Sequence, residues 1–227
     1  MQSRSKSLLI NLIKSILAGF TFVVGGGLFL LFKSYNNYAL FMVGSFLFSA
    51  TLIIILCCKL NLFTGKIGVA FEKKYSFLDY VVMYFGNFIG CFVVGGICLL
   101  LTKTLFPNNQ IYETVVAVSN AKTASIELSS LLSCFVTSLG CGATVYLAVE
   151  SYNYKKLPFV VRILLVILFI GLFVVNGWNH CIANMFYFVF AWNWSINALV
   201  MTLVCTLGNG LIAILLNTTK NLLFKNN

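Results

Sequence analysis

The stretch Phe173-Val174-Val175-Asn176-Gly177-Trp178-Asn179-His180-Cys181-Ile182-Ala183-Asn184-Met185 begins as the end of an apolar helix and turns polar at Asn176, and the apolar pattern resumes to Trp192. Non-helical backbone at membrane depth is tolerated only where protein or a water-filled cavity satisfies its polar groups. An interruption of this kind therefore marks a spanning helix that is broken and held open. The same happens upstream, where Cys57-Cys58-Lys59-Leu60-Asn61-Leu62-Phe63-Thr64-Gly65-Lys66 interrupts an apolar run that resumes at Ile67.

The rest of the chain supports a membrane setting. Of its 227 residues 60% are hydrophobic and 9% charged, where a soluble domain carries roughly 25% charged residues. The net charge of +10 comes from lysines and arginines at the edges of apolar runs, which is a topology signal and not the basic stripe of a nucleic-acid-binding protein. Eight cysteines lie in apolar stretches with no C-x-x-C pair and one histidine in the whole chain, so they read as small buried side chains, with no metal or cofactor implied. The opening apolar run behind Arg4 and Lys6 is too long for a signal peptide and lacks a clear cleavage site, and it reads as a retained first helix.

Charge-free stretches predict six spans, at about 8–33, 38–60, 76–102, 128–150, 157–178 and 196–217, with two shorter apolar pieces at 62–71 and 181–192. With the N-terminus inside, ten basic residues (Arg4, Lys6, Lys14, Lys73, Lys74, Lys155, Lys156, Arg162, Lys220, Lys225) face three outside (Lys33, Lys103, Lys122). The positive-inside rule then places both termini in the cytoplasm of a multi-pass cell-membrane protein. Span three contains Gly86-Asn87 and span six Gly208-Asn209, each on the helix that follows a broken one. Three spans before and three after make residues 1–227 one channel domain of two inverted halves, about 8–102 and 128–217, with transport sites expected where the broken helices meet.

His180 sits among Gly177, Asn179 and Asn184 and reads as a pathway residue. Thr64 is either the cap of a half-helix starting near Gly65 or a pore-lining group, and the two roles are compatible because a half-helix N-terminus presents free N–H groups to an anion. Lys59 and Lys66 either snorkel to the interface or draw anions to the inner mouth. Asn87 and Asn209, with the Gly25-Gly26-Gly27 run, read as close helix contacts with interhelical hydrogen bonds.

Taken together, Leu62-Phe63-Thr64-Gly65, Gly177-Trp178-Asn179-His180-Cys181-Ile182-Ala183-Asn184-Met185, Gly86-Asn87-Phe88-Ile89-Gly90, Leu207-Gly208-Asn209 and a weaker Cys141 to Val149 element resemble the formate-nitrite transporter family over almost the whole chain. That resemblance implies an all-α membrane protein with an aquaporin-like protomer, helices two and five broken, assembled as a homopentamer. It implies a pore in each protomer for small monovalent anions such as formate, nitrite, hydrosulfide, lactate or acetate, with His180 and Thr64 in the pathway. Alignment through the motifs places apolar constrictions at Phe48, Leu52, Leu62, Phe63 and Phe173. Four positions depart from the family pattern: Asn61 and Asn179 stand where acidic residues are usual, Gly142 where an asparagine is usual, and Ile126 where a pore lysine is expected, with Lys122 one helical turn earlier as its substitute.

A bare ion cannot cross an apolar ring without a cost of at least several kcal/mol, so the permeant species must be neutral or nearly so as it crosses. A weak acid meets this by taking a proton, and an imidazole with an ordinary pKa of about 6.5 suits a centre where charge state is decided. An aquaporin-like pore for neutral solutes is the alternative among channels, but the paired Asn-Pro-Ala elements it needs are missing, as Pro107 and Pro158 lie in no such motif. A membrane enzyme would need clustered carboxylates or histidines, and the five acidic residues are scattered. A non-transporting scaffold would show no flux of any small monovalent anion.

Overall fold

In the computed structural model, which describes residues 2–72, 74–105 and 110–224, every regular element is helical. Lys73, Lys225 and Pro107 lie outside the described residues. The helices are α1 (Gln2–Phe20), α2 (Phe22–Ser34), α3 (Tyr38–Leu47), α4 (Ser49–Cys57), α5 (Phe63–Lys66), α6 (Phe77–Thr104), α7 (Gln110–Lys122), α8 (Leu128–Asn153), α9 (Phe159–Val175), α10 (Cys181–Phe190) and α11 (Ile196–Phe224), with a 3-10 stretch over Ile67–Glu72.

Five stretches among the described residues are long and apolar enough to cross a membrane: Arg4–Ser34, Tyr38–Cys57, Phe77–Thr104, Leu128–Asn153 and Ile196–Phe224. The region expected as a fifth span over 157–178 carries α9, which has 17 residues, with α10 following after a gap of five. Helix α7 is an addition to the sequence expectation. It escapes a search for spans because it has only 13 residues, although Val115, Val118, Ser119 and Lys122 mark one helical face by their i, i+3, i+4, i+7 spacing.

Helix α1 packs mainly on α6, α8 packs mainly on α11, and α10 lies against α6, α2, α7 and α11. All ten residues of α10 are buried, and Asn184 is the one amide among otherwise apolar or aromatic side chains. Leucines and phenylalanines such as Leu100, Leu147, Leu164, Leu203 and Leu207 cover the outside of the bundle, as expected of a surface facing hydrocarbon. Of the eight cysteines, Cys57 and Cys58 are exposed, contrary to the expectation that all are buried, because α4 ends there at the bundle's edge.

The first span is bridged by a residue of the second. Thr51 Oγ1 accepts from the Gly25 N–H at 3.1 Å and donates to the Thr21 carbonyl at 3.3 Å, so a side chain from α4 is inserted into the backbone ladder where α1 gives way to α2. A Cβ on Gly25 would lie 2.2 Å from that hydroxyl and 2.4 Å from the Phe48 carbonyl, so only glycine allows the approach. This fixes α4, and the Phe48 ring at its start, against α2.

Candidate functional site

Both interruptions end their helices in the same way. After α4, Lys59 adopts φ +52, the Leu60 N–H reaches back to the Ile55 carbonyl (2.9 Å) and the Lys59 N–H to the Leu56 carbonyl (3.3 Å). After α9, Gly177 adopts φ +66, the Trp178 N–H reaches the Phe173 carbonyl (3.0 Å) and the Gly177 N–H the Val174 carbonyl (3.0 Å). These are Schellman closures around a left-handed residue, for which glycine is the unstrained choice. Three residues on, Leu62 and His180 are extended, and the short helices α5 and α10 begin.

The extended backbone needs partners, and two buried asparagines supply them. Asn87 on α6 accepts from the Phe63 N–H (2.8 Å) and donates to the carbonyls of Asn61 (2.9 Å) and Ser15 (2.8 Å). Asn209 on α11 accepts from the Cys181 N–H (2.9 Å) and donates to the carbonyls of Asn179 (3.0 Å) and Ser138 (2.8 Å). Each amide therefore replaces the helical hydrogen bonds that its break gives up, at a depth where water cannot. The approach of α8 to α11 beside Asn209 is close enough that a Cβ on Gly142 would lie 2.6 Å from the Asn209 carbonyl, so a larger residue at 142 would force these helices apart.

The breaks bring His180 and Thr64 together from 116 residues apart: His180 Nε2 lies 2.8 Å from Thr64 Oγ1, and both are 3% exposed. His180 also caps α10, its Nδ1 accepting the Ala183 N–H at 3.1 Å. An imidazole nitrogen that accepts carries no hydrogen, so in the neutral ring the proton sits on Nε2 and is donated to Thr64. The hydroxyl hydrogen of Thr64 then has no acceptor among the described residues. Phe173 stacks on the imidazole at 5.9 Å, with Phe22 tilted on it at 5.8 Å, and Phe48 meets Phe173 edge-on at 5.8 Å.

Two cavities approach this centre from opposite ends of the bundle. The larger, about 860 Å³, is floored by Phe48, Phe173, His180, Ala183 and Asn184 and walled by Lys33, Lys122, Ser125, Ser129, Ser133, Thr137 and Asn179. Among the described residues its lining holds two lysines and no aspartate or glutamate. The smaller, about 120 Å³, lies toward the chain ends and is lined by Leu52, Leu62, Gly65 and Lys66 with Lys59 and Tyr152. Phe48, Phe173 and His180 line the larger cavity and Leu52 and Leu62 the smaller, while Thr64 lines neither and is reached through its contact with His180; all six are buried.

Lys122, at the end of α7, reaches this floor: its Nζ lies 2.9 Å from Asn179 Oδ1 and 3.4 Å from the Gly177 carbonyl. Asn179 in turn donates to Thr137 Oγ1 at 2.9 Å and Asn184 donates to Asn179 Oδ1 at 3.1 Å. Neither α7 nor Thr137 is marked by a motif, because the contact depends on how the outer helix folds over the vestibule.

One sequence expectation changes here, and two further residues are placed by their packing. Thr64 does not cap α5, because the helix starts one residue earlier at Phe63, whose N–H is already held by Asn87. Phe63 lines neither cavity; its ring is turned edge-on to Tyr84 of α6 at 5.2 Å. Asn61 lines neither of these two cavities, and its amide donates to Asn11 of α1 at 2.8 Å.

An all-helical bundle with apolar spans, in which a lysine-bearing vestibule ends on one buried histidine, defines a channel-like membrane protein. The formate/nitrite transporter family model matches residues 2–220, and the chain belongs to that family. It is 28% identical over 153 residues to the formate channel FocA of Haemophilus influenzae, an alignment that covers 64% of this chain and 52% of that protein, so the chain matches about half the length of this relative. Its fold is similar to that of a pentameric formate channel with formate bound (TM-score 0.81, 21% identity, 98% of this chain and 99% of that one). It is also similar to an FNT family ion channel (TM-score 0.78, 20% identity, 97% and 92%).

Proposed function

We propose that the protein is a membrane channel for small monovalent anions of weak acids, of the formate, nitrite, hydrosulfide, lactate or acetate class, with passage coupled to a proton at the level of His180. The observation that carries this reading is the lysine-bearing vestibule without carboxylates that ends on the His180–Thr64 pair. Anions collect in the field of Lys122 and Lys33, lose their charge by protonation at the vestibule floor, and cross Phe48, Phe173, Leu52 and Leu62 as neutral acid. At the centre His180 Nε2–H and the Thr64 hydroxyl offer hydrogen bonds, and Lys59 and Lys66 receive the anion on the far side. Six spans arranged as two inverted halves, with broken helices two and five, both termini cytoplasmic and a homopentameric assembly, complete the proposal. The matching Schellman closures and the matching Asn87 and Asn209 brackets support the repeat, and the likeness to a pentameric formate channel supports the assembly.

The test is uptake by purified protein in liposomes, comparing formate, nitrite, hydrosulfide, acetate and lactate between about pH 5 and 8, the range where weak-acid and histidine protonation change. Flux of at least one of these that rises as pH falls is expected; uptake of uncharged solutes only, or of nothing, would overturn the reading. Within the same assay Lys122→Met is expected to raise the KM for formate roughly tenfold with little change in maximal flux, because a charge a few ångströms from the anion acts on its capture. Salt should shrink the difference between the two proteins, since it screens that attraction.

A further inference from the structure

Farther from His180 along α10, the vestibule wall carries two donors that the fold itself does not use. His180, Ala183, Asn184 and Tyr187 line the cavity at i, i+3, i+4, i+7 spacing, so one face of α10 runs up its wall. Tyr187 bears the only hydroxyl on α10. Its ring is buried and packs on Phe29 at 6.3 Å and on Phe186 at 5.7 Å. The hydroxyl has no hydrogen-bond partner among the described residues, yet it is not sealed off as the unpartnered oxygens of Tyr80 and Asn184 are, so it keeps accessible surface on a side chain that lines the vestibule. Lys33, near the end of α2, lines the same cavity, with its ammonium 5.7 Å from the centre of the Phe29 ring and 4.8 Å from that of Phe41. Aromatic faces hold a cation in place without neutralising it. Lys33 forms no ion pair among the described residues, so its charge stays available to the cavity. Phe29 therefore packs against a lysine without a counter-ion and a tyrosine without a hydrogen-bond partner, and both residues lie outside the motifs that carry the family resemblance.

We propose that Lys33 and the Tyr187 hydroxyl form an outer capture subsite for small monocarboxylates, with Phe29 as its apolar wall. This rests on the function proposed above and gives the anion a first stop before Lys122 and Asn179 at the floor, since Tyr187 stands about two helical turns from His180. The ammonium attracts the anion, and the phenol donates one directed hydrogen bond to a carboxylate oxygen, a bond strengthened by the acceptor's charge. The hydrocarbon end of an acetate or lactate rests on the Phe29 ring. Phenylalanine at position 187 offers the same ring and no donor, and because the hydroxyl holds no protein group, its removal takes nothing from the packing of α10.

The test is uptake of acetate and formate by the full chain in liposomes at about pH 7, where carboxylates are ionised. Tyr187→Phe is expected to raise the KM for both roughly fivefold, the size of one lost hydrogen bond. Added to Lys33→Met, the same substitution should raise KM less than twofold further, because residues that hold one ion are coupled. A Tyr187→Phe protein whose KM stays within twofold of wild type would overturn the proposal, since the hydroxyl then serves only water. An equal rise in both backgrounds would overturn it too, because the two groups would act independently. If Lys33→Met does not assemble, Lys33→Gln completes the same comparison. Wild-type uptake of nitrite or hydrosulfide without any carboxylate would remove this subsite and leave the proposed function standing, whereas no weak-acid uptake at all would remove both.

Discussion

Replacing Asn209 with leucine is expected to cost about 2–5 kcal/mol and to abolish transport. The substitution leaves the buried Cys181 N–H and the partly buried Asn179 carbonyl without their partner and removes a buried hydrogen bond to Ser138. Each stranded buried group costs about 1–3 kcal/mol, and a whole domain is stable by only about 5–15 kcal/mol. Thermal unfolding of the purified protein in detergent, followed by circular dichroism and size exclusion, measures the loss. Asn209→Asp should fall between leucine and wild type, because it keeps the acceptor for Cys181 and loses both donors. A leucine variant as stable and active as wild type would mean that the break at 176–180 holds itself open without α11.

His180→Leu is expected to reduce formate flux by roughly 10- to 100-fold, whereas His180→Asn should stay within about tenfold of wild type and keep its rise toward low pH. Leucine removes the Nε2–H offered to Thr64 and the permeant and also the cap on the Ala183 N–H, two interactions of about 1 kcal/mol or more each. Asparagine is a good cap and carries both a donor and an acceptor. The distinction matters because Nδ1 already accepts from Ala183. For His180 to hand over a proton outright it must first carry one on both nitrogens, which sets Nδ1–H against the Ala183 N–H and opens the cap. On the function proposed above, this arrangement favours hydrogen bonding by a neutral ring over release of a proton from it. An asparagine variant as inactive as leucine, or one whose flux no longer responds to pH, would assign the proton transfer to the imidazole.

Membrane placement, the approximate bounds of five spans and the positions of both interruptions follow from the sequence by itself. Apolar runs of about 20 residues have few fates other than crossing a bilayer, and polar residues inside them must be accounted for. That His180, Asn179, Asn184, Asn87 and Asn209 need hydrogen-bond partners is legible for the same reason, as each is a polar residue where apolar ones are the rule. Periodicity and spacing carry no information about which residues 116 positions apart will touch, so the pairing of Thr64 with His180 had to come from the tertiary structure. The same holds for the turning of Phe63 onto Tyr84, the use of Asn61 in packing α1, and the reach of Lys122 from α7 to Asn179. Burial cost makes a polar residue in an apolar run conspicuous in one dimension, but the partner that offsets that cost is chosen in three.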